Sequence, residues 1–382
     1  MSENNTDLKF TPLYQKHVEE GARMVPFSGW KMPVQYSGII EEHLHTRSRA
    51  GLFDICHMGE FFLKGPSSEE DLERIVTCQI SGSPEGKCHY GFMLNEKGGI
   101  VDDLIVYKIS PEEYMLVVNA GTVDKDAEWI KANISGDTFF IDDSDNIAKL
   151  DLQGPTSGKV VTSLCGEEVV LSLKRFCFVK TVIDEVKVIL SRTGYTGELG
   201  YELFFPVSQA ERLWDMILSR EGVKPVGLGA RDTLRLEMGY SLYGSDIDEE
   251  HTPLEAGLER FIHMEKDFIG KDALIRQKKE ALPRVLKGFV CEGRRSARSH
   301  FGVFFDGEEV GTVTSGAFSP CLKVGIGMCY LDPGHAVSGN HITLSDGRIE
   351  IGGRLTDVPF LNPRTGGLQD KAIAHKSKKE ER

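Results

Sequence analysis

The sequence predicts an α+β fold in which a repeated strand–helix unit is followed by a small antiparallel barrel or sandwich. Three observations carry this. Strand-forming runs alternate with helical runs up to about residue 283. One combination, a strand, a short polar turn and a helix bearing a tryptophan, occurs twice, over 113–132 with Trp129 and over 200–218 with Trp214, as a duplicated unit requires. Beyond that point long helical patterns stop. Short strands with glycine turns take over in GVFFDGEEVGTVTSG, KVGIGMCYLD and HITLSDGRIEIGG, with turn signals about every ten residues.

In chain order, a turn-rich start (26–33, with Trp30) leads to a helix over 39–50, IIEEHLHTRSRA, with Gly51 placed to end it. His43 and His45 on that helix are two residues apart and point in different directions, so they make a poor metal pair. GLFDICHMGEFFLKG reads as strand through Leu52, Phe53, Ile55, Phe61 and Leu63, broken at His57-Met58-Gly59. A helix over 67–76 follows, with Ser67 and Ser68 as N-caps and acids in its first turn.

The stretch NEKGGIVDDLIVYK (95–108) opens with a turn signal and becomes a strand with Asp102 and Asp103 in its middle. A strand alternates its faces, so Asp103, Ile105 and Tyr107 share one and Asp102, Leu104 and Val106 the other. If both faces are covered, at least one acid sits in an apolar setting and needs a partner. An edge strand with one acid in water is the plainer alternative, and the pattern does not choose between the two carboxylates. A strand over 113–121 and a helix over 122–132 follow. LDLQGPTSGKVVTSL (150–164) is strand into helix with Gly154-Pro155 at the junction, and GYELFFPV (200–207) is a strand leading to a helix over 208–218.

A length of 382 residues exceeds what one core usually serves. The expected division is 1–283, an α+β part; 284–367, the β part; and 368–382, a charged, disordered tail. The net charge of -13 argues against nucleic-acid binding and against docking on anionic membranes. The 8 cysteines are scattered with no C-x-x-C pair, and the start, MSENNTDLKF, has neither an apolar signal core nor an Arg-rich transit pattern. Reduced thiols in a cytoplasm are expected. No apolar run approaches the roughly 20 residues of a membrane helix.

Several motifs fail. No phosphate loop is present, and Gly227-Leu-Gly229-Ala-Arg231-Asp232 lacks the third glycine of a dinucleotide fingerprint. Asp246, Asp248, Glu249, Glu250 and His251 lack a calcium loop's glycine and distal glutamate, and are expected to form a solvated acidic loop. No nucleophile elbow occurs. RTGYTGELGYEL (192–203) says more: glycines, a tyrosine and two glutamates run straight into a strand. Glu202 alternates there with Tyr201 and Leu203. It suits either a donor-rich ligand edge or an ordinary polar position on an open sheet face.

These stretches together resemble the glycine cleavage T-protein family, tetrahydrofolate-dependent aminomethyltransferases. The resemblance spans Thr11 to about Leu361. It rests on FSGWKMPVQY, GLFDICHMGE, GGIVDDLIVYK, LDLQGP, TGYTGELGYEL, GLGARDTLRLEMGYSLYGSDID, PLEAGLE, DFIGKDAL and TSGAFSP, in that order. It implies a duplicated α+β folate-binding domain followed by a small C-terminal antiparallel β-barrel. The implied reaction takes the aminomethyl group from the reduced lipoyl arm of the H protein to tetrahydrofolate. It releases ammonia and gives 5,10-methylenetetrahydrofolate. Tetrahydrofolate is then a co-substrate, the lipoylated H protein a partner, and no metal or pyridoxal phosphate is expected; a monomer is expected.

Carried over by motif position, the resemblance implies Asp103 as the essential carboxylate, Glu202 as the pterin-facing acid and Arg231 near the folate. It places Met58, Tyr90, Ile105, Tyr107, Asn119, Tyr195 and Tyr240 on the pocket walls. Arg364 is the candidate for the folate's glutamate tail. Because folate N5 is itself the nucleophile, the protein need supply only orientation and negative charge. Two departures stand out: Phe261-Ile262-His263 replaces a run that often holds Trp, and the charged extension past Gly367 is outside the family pattern. A folate-dependent demethylase of a small methylated compound on the same fold is the alternative. A non-catalytic folate protein of iron–sulfur maturation is disfavoured, since no K-G-C-Y-x-G-Q-E string occurs.

Overall fold

The computed structural model of the protein describes residues 8–362 and 364. The expected tail, 368–382, lies outside the described residues. Residues 26–33 do not form the expected turn-rich segment. Pro26 and Pro33 sit inside the paired strands Arg23–Phe27 and Trp30–Gln35. The turn is confined to Ser28 and Gly29, both at positive φ (47° and 80°). The helix Ile39–Ser48 also ends before the expected residue. Gly51 is not its cap but lies within the buried strand Ala50–Asp54, where an added Cβ would come 2.5 Å from the Thr46 hydroxyl oxygen. Close packing, not turn geometry, requires the glycine there.

The duplication is visible in the topology. Strand Gly59–Lys64, helix Ser68–Ile75, strands Cys88–Leu94, Ile100–Ser110 and Glu113–Val118, helix Val123–Asn133 and strand Phe139–Asp142 make the first unit. The second repeats that order: strand Ile147–Gln153, helices Ser157–Cys165 and Glu167–Ser172, strands Phe178–Ile183, Val186–Ser191 and Gly200–Pro206, helix Ala210–Leu218 and strand Val223–Pro225. Each unit's sheet runs third element to last in the same spatial order. The first is Cys88–Leu94, Ile100–Ser110, Glu113–Val118, Gly59–Lys64, Phe139–Asp142; the second matches it, with Ala50–Asp54 inserted before its final strand. Trp129 and Trp214 occupy equivalent helices. Trp214 is fully buried in a core with Leu150, Leu203 and Leu213.

The C-terminal strands close into a barrel in the order Val285–Cys291, Gly325–Leu331, Glu308–Phe318, Gly302–Phe305, His341–Ser345, Glu350–Thr356, every neighbouring pair antiparallel. Phe289, Val303, Cys329 and Leu344 fill it. Closure removes the sheet edges that an open sheet of this size would leave unpaired.

Helix Leu228–Glu237 joins the two parts through buried charges. Arg235 reaches Asp246 at 2.7 Å and Ser315 Oγ at 2.8 Å. Glu237 accepts from the Arg47 guanidinium at 2.9 Å and from the Ser319 hydroxyl, and lies 3.1 Å from His43 Nε2. Asp246 therefore corrects the expectation of a solvated acidic loop: it is fully buried and paired, because the barrel's Thr314 and the chain at Leu242 also donate to it. His43 and His45 do diverge, His45 bonding the carbonyls of Ala50 and Gly222. None of the 8 cysteines is bridged.

Candidate active site

The strand Ile100–Ser110 carries the centre of the site. It is buried almost throughout, and the exceptions are Asp103, Ile105 and the terminal Ser110. Asp103 and Ile105, at i and i+2, share a face, which is the less covered face of the strand at this point. Tyr107, next on the same face, is fully buried.

Asp103 is held by two donors. Tyr90 donates its hydroxyl at 2.9 Å and Asn119 its side-chain amide at 2.8 Å. The same amide bonds Asp102 at 2.9 Å, and the Asn119 backbone N–H and the Thr122 hydroxyl add bonds of 3.0 Å each. Asp102 is thus the fully enclosed acid, and Asp103 the one bonded to Tyr90, which lines a cavity. Asp126, fully buried, lies near enough to Asp102 to feel its charge. No hydrogen-bond donor reaches either Asp126 oxygen among the described residues, a setting that disfavours its charged form. Burial and the Asp102 charge push Asp126 up to about 10. Burial, then the Asp102 charge, push Asp103 up to about 7. Burial and the Asp103 charge hold the Tyr90 phenol protonated as a donor.

The second sheet supplies the facing wall. In the strand Ile147–Gln153 (IAKLDLQ) the polar residues Lys149, Asp151 and Gln153 alternate onto one face, and all three are buried. Asp151 is in register with Glu202. Lys149 pairs with Glu202 at 3.3 Å, lies 3.5 Å from the Met58 sulfur and sits 5.1 Å over the Phe204 ring. Glu202 also accepts from the hydroxyls of Thr193 and, at 3.3 Å, Tyr107. Burial alone would raise this carboxyl, but Lys149, Thr193 and Arg231 together bring it below its ordinary value. Glu202 is therefore an ionised acceptor, buried but held by cations and hydroxyls.

Arg231 pairs with Asp151 at 2.6 Å and lies 5.0 Å over the Tyr195 ring. Tyr195 stacks on Tyr240 at 5.7 Å. Arg364 lies on the chain beside this group: its N–H donates to the Gly197 carbonyl at 2.6 Å, and it bridges to Glu198. A cavity of about 250 Å³ opens beside Tyr90, walled by Cys78, Cys88, Phe176 and Phe261. The Tyr90 and Phe261 rings meet edge-to-face at 4.7 Å.

The residues expected from the sequence thus fall into linked groups. Asp103, Tyr90, Ile105 and Asn119 form one; Glu202, Tyr107 and Met58 a second; Arg231, Tyr195 and Tyr240 a third, with Arg364 at its margin. Sequence reasoning missed Lys149, Asp151 and Gln153, although their alternation in an apolar strand was a readable signal. It had no signal for Asp126, which reaches Asp102 from the following helix. His43, Glu237 and Cys321 bring potential metal-ligand atoms within 4.8 Å of one another. Arg47 already matches the charge of Glu237 there through two guanidinium N–H groups, which leaves little attraction for a cation.

Family models cover the chain in two blocks: the GCVT N-terminal domain over residues 13–266 and the glycine cleavage T-protein C-terminal barrel domain over 284–361. The chain belongs to the glycine cleavage T-protein family. Among similar members, the aminomethyltransferase of Halothermothrix orenii is 44% identical over 93% of this chain and 100% of its own. That of Listeria monocytogenes is 43% identical over 93% and 98%. The crystal structure of glycine cleavage system aminomethyltransferase T from Bartonella henselae matches with a TM-score of 0.88 and 33% identity, covering 94% of this chain and 99% of that one. The demethylase alternative is not favoured by T-protein relatives of this kind. No helix among the described residues is long and apolar enough to cross a membrane.

Proposed function

We propose that Asp103 is the catalytic carboxylate of an aminomethyltransferase of the glycine cleavage system. The chain transfers the one-carbon unit of aminomethyl-dihydrolipoyl H protein to tetrahydrofolate, with release of ammonia. Tetrahydrofolate supplies the two attacking nitrogens, and their hydrogens leave with ammonia and with the freed lipoyl thiol. The work left to the chain is positioning and electrostatics.

The observation that carries this reading is the Tyr90–Asp103–Asn119 arrangement, in which Tyr90 lines a cavity. Its two donors fix the carboxylate, and its thinned water strengthens any interaction with a developing cation. A carboxyl pushed up to about 7 also suits proton exchange near neutrality. Glu202, ionised and held by Lys149 and Thr193, is an acceptor for the N–H edge of a pterin. Tyr195 and Tyr240 offer flat walls, Met58, Ile105 and Tyr107 line the pterin side, and Asn119 orients Asp103. Arg231, paired inward with Asp151, acts as a fixed positive charge near the folate more than as a tail anchor. Arg364 is the proposed anchor for the folate's own glutamate. The catalytic part is proposed to end at residue 283, with the barrel as a closing element, and the protein to work in the cytoplasm without metal or pyridoxal phosphate.

Asp103→Ala is the test. Methylenetetrahydrofolate formation from aminomethylated H protein is expected to fall by about 10²-fold or more. Tetrahydrofolate affinity by calorimetry should change less than about threefold, since Glu202 is untouched. Full turnover by the variant would remove Asp103 from the role.

A further inference from the structure

The strand Gly59–Lys64 carries an acid that the mechanism above does not use. Glu60 is fully buried, and neither oxygen of its carboxyl group meets a hydrogen-bond partner among the described residues. Burying a carboxyl without donors is costly, and far more so when it is charged. Register fixes where it points. Glu60 pairs with Val117, Val117 with Ile105 and Ile105 with Tyr90. Residues directly opposite on neighbouring strands share a face, so Glu60 lies on the same face of the first sheet as Ile105, Tyr90 and Asp103. Phe62, two residues on, packs there with Met58, Tyr107 and Phe204. Phe204 belongs to the second sheet, so Glu60 faces the layer between the two.

Lys149 enters that layer from the second sheet. Its charge draws Glu60 toward ionisation, while Glu202 across the layer and Asp142 and Asp143 beside the strand oppose this; burial is the largest influence and lifts the carboxyl to about 8. Glu60 is therefore protonated at pH 7 in the chain without its co-substrate. Lys149 itself is loosely held. Its ammonium has three donors, and among the described residues it meets Glu202 Oε1 at 3.3 Å, the Met58 sulfur at 3.5 Å and the Phe204 ring at 5.1 Å. The first contact is long for a charge-assisted bond, which usually measures about 2.7–2.9 Å. The second is to a weak acceptor, and its residue stands two before Glu60 in the chain. Glu202 divides its partners between its oxygens: Oε2 accepts from Thr193 and Tyr107, and Oε1 meets Lys149. Oε1 is thus the oxygen from which an arriving N–H donor displaces the ammonium.

We propose that Lys149 changes carboxylates when tetrahydrofolate binds: it leaves Glu202 Oε1 to the pterin N–H edge and turns to Glu60, whose carboxyl O–H bond breaks and whose proton passes to solvent. This rests on the folate reading above. Glu60 is then a positioning residue, acting through Lys149 on the acid that holds the pterin. The exchange keeps the buried ammonium paired in both states and gives the isolated carboxyl its partner. The flexible four-carbon stem of a lysine permits such a turn.

Proton release on binding is the signature. Calorimetry of tetrahydrofolate binding to the full chain in phosphate and in Tris, which differ in ionisation enthalpy, counts the protons. The parent is expected to release about 0.9 proton more than Glu60→Gln at pH 7 and about 0.1 more at pH 9, as a carboxyl near 8 requires. Comparison with the variant cancels any proton that Asp103 exchanges. Because the parent releases a proton, its affinity should gain up to about tenfold per pH unit below 8, an increment that Glu60→Gln lacks. Glu60→Gln keeps the size and neutrality of the protonated acid, so the free chain is expected to fold unchanged. Lys149→Met removes the moving partner and should show the same missing proton; Glu60→Gln decides alone if that variant binds too weakly to measure. A proton count at pH 7 equal to the parent's in either variant would overturn the exchange while leaving the folate reading intact. Absence of tetrahydrofolate binding by the parent would instead overturn the folate reading, and this proposal with it.

Discussion

Asp103 is held at the edge of ionisation by its surroundings. Burial and the neighbouring Asp102 charge move it from an ordinary carboxylate to about 7. A catalytic carboxylate that must be negative to hold a developing cation then gains activity as pH rises through that value. Aminomethyl transfer is expected to show an ascending limb near pH 7, measured as ammonia release at saturating tetrahydrofolate. Asp102→Asn keeps an acceptor for Asn119 and Thr122 but removes the charge. It should move the limb toward acid by about one pH unit. A limb that stays put would mean another group titrates. The stability sign runs the other way. A folded pKa above the unfolded 3.8 means Asp103 favours the fold only when protonated, and that contribution is lost as pH rises through about 7. Asp103→Asn should therefore be more stable than the parent at pH 8, a cost of function common at active sites.

At the scale of elements, the alternating strands do most of the placing. Ile100–Ser110 turns Asp103 and Ile105 to its less covered face, while Ile147–Gln153 turns Lys149, Asp151 and Gln153 to one buried face. The loop before Gly200–Pro206 wraps Gln153. That side chain donates to Asp151 and to the Thr193 carbonyl and accepts from the Thr196 hydroxyl. A Cβ at Gly200 would lie 2.0 Å from Gln153 Nε2, and one at Gly194 would lie 2.1 Å away. The glycines of TGYTGELGYEL therefore make room for a buried amide that braces the acid facing Arg231. Gly200→Ala is expected to cost about 1–3 kcal/mol in urea unfolding and to weaken folate binding through Asp151. A neutral result in both measurements would show that Gln153 can swing aside.

Across the molecule, the strand Trp30–Gln35, the second unit's sheet at Phe53 and the barrel meet on helix Leu228–Glu237. Glu237 accepts from Arg47, Ser319 and the Cys321 backbone N–H. Burial alone would raise its carboxyl. The His43 and Ser319 hydrogen bonds and the Arg47 charge more than reverse this, to about 2. A folded pKa below the unfolded 4.5 gives stability that is present above that value and is lost as pH falls toward about 2. Glu237→Gln leaves Arg47 with Glu198 as its one carboxylate partner among the described residues and is expected to cost about 3 kcal/mol at pH 7. It should also flatten the acid loss of stability in urea titrations. A variant as stable as the parent would show that the junction is held by packing alone. His43, kept neutral mainly by burial, takes no charge from this balance.

The sequence by itself determined the architecture: two copies of one α+β unit, with matching tryptophan helices, and a small antiparallel β part after them. Periodicity and turn residues are local, and the repeat multiplies a local signal, so both survive without knowledge of neighbours. The same alternation put Asp102 and Asp103 on opposite faces, and the family motifs singled out Asp103. What only the tertiary structure decided is the company each acid keeps. Asp246 read as solvated because its neighbours in sequence are acidic, yet the barrel folds over it and supplies donors. Asp102 and Asp103 differ because the Asn119 backbone N–H and the Thr122 hydroxyl, from the segment after the next strand, reach only Asp102, while Tyr90 reaches only Asp103. Gly51 read as a cap because its packing partner, Thr46, meets it only once helix and strand fold back together. Burial and charge pairing depend on which distant segments arrive at the same place, and one chain read in order does not carry that information.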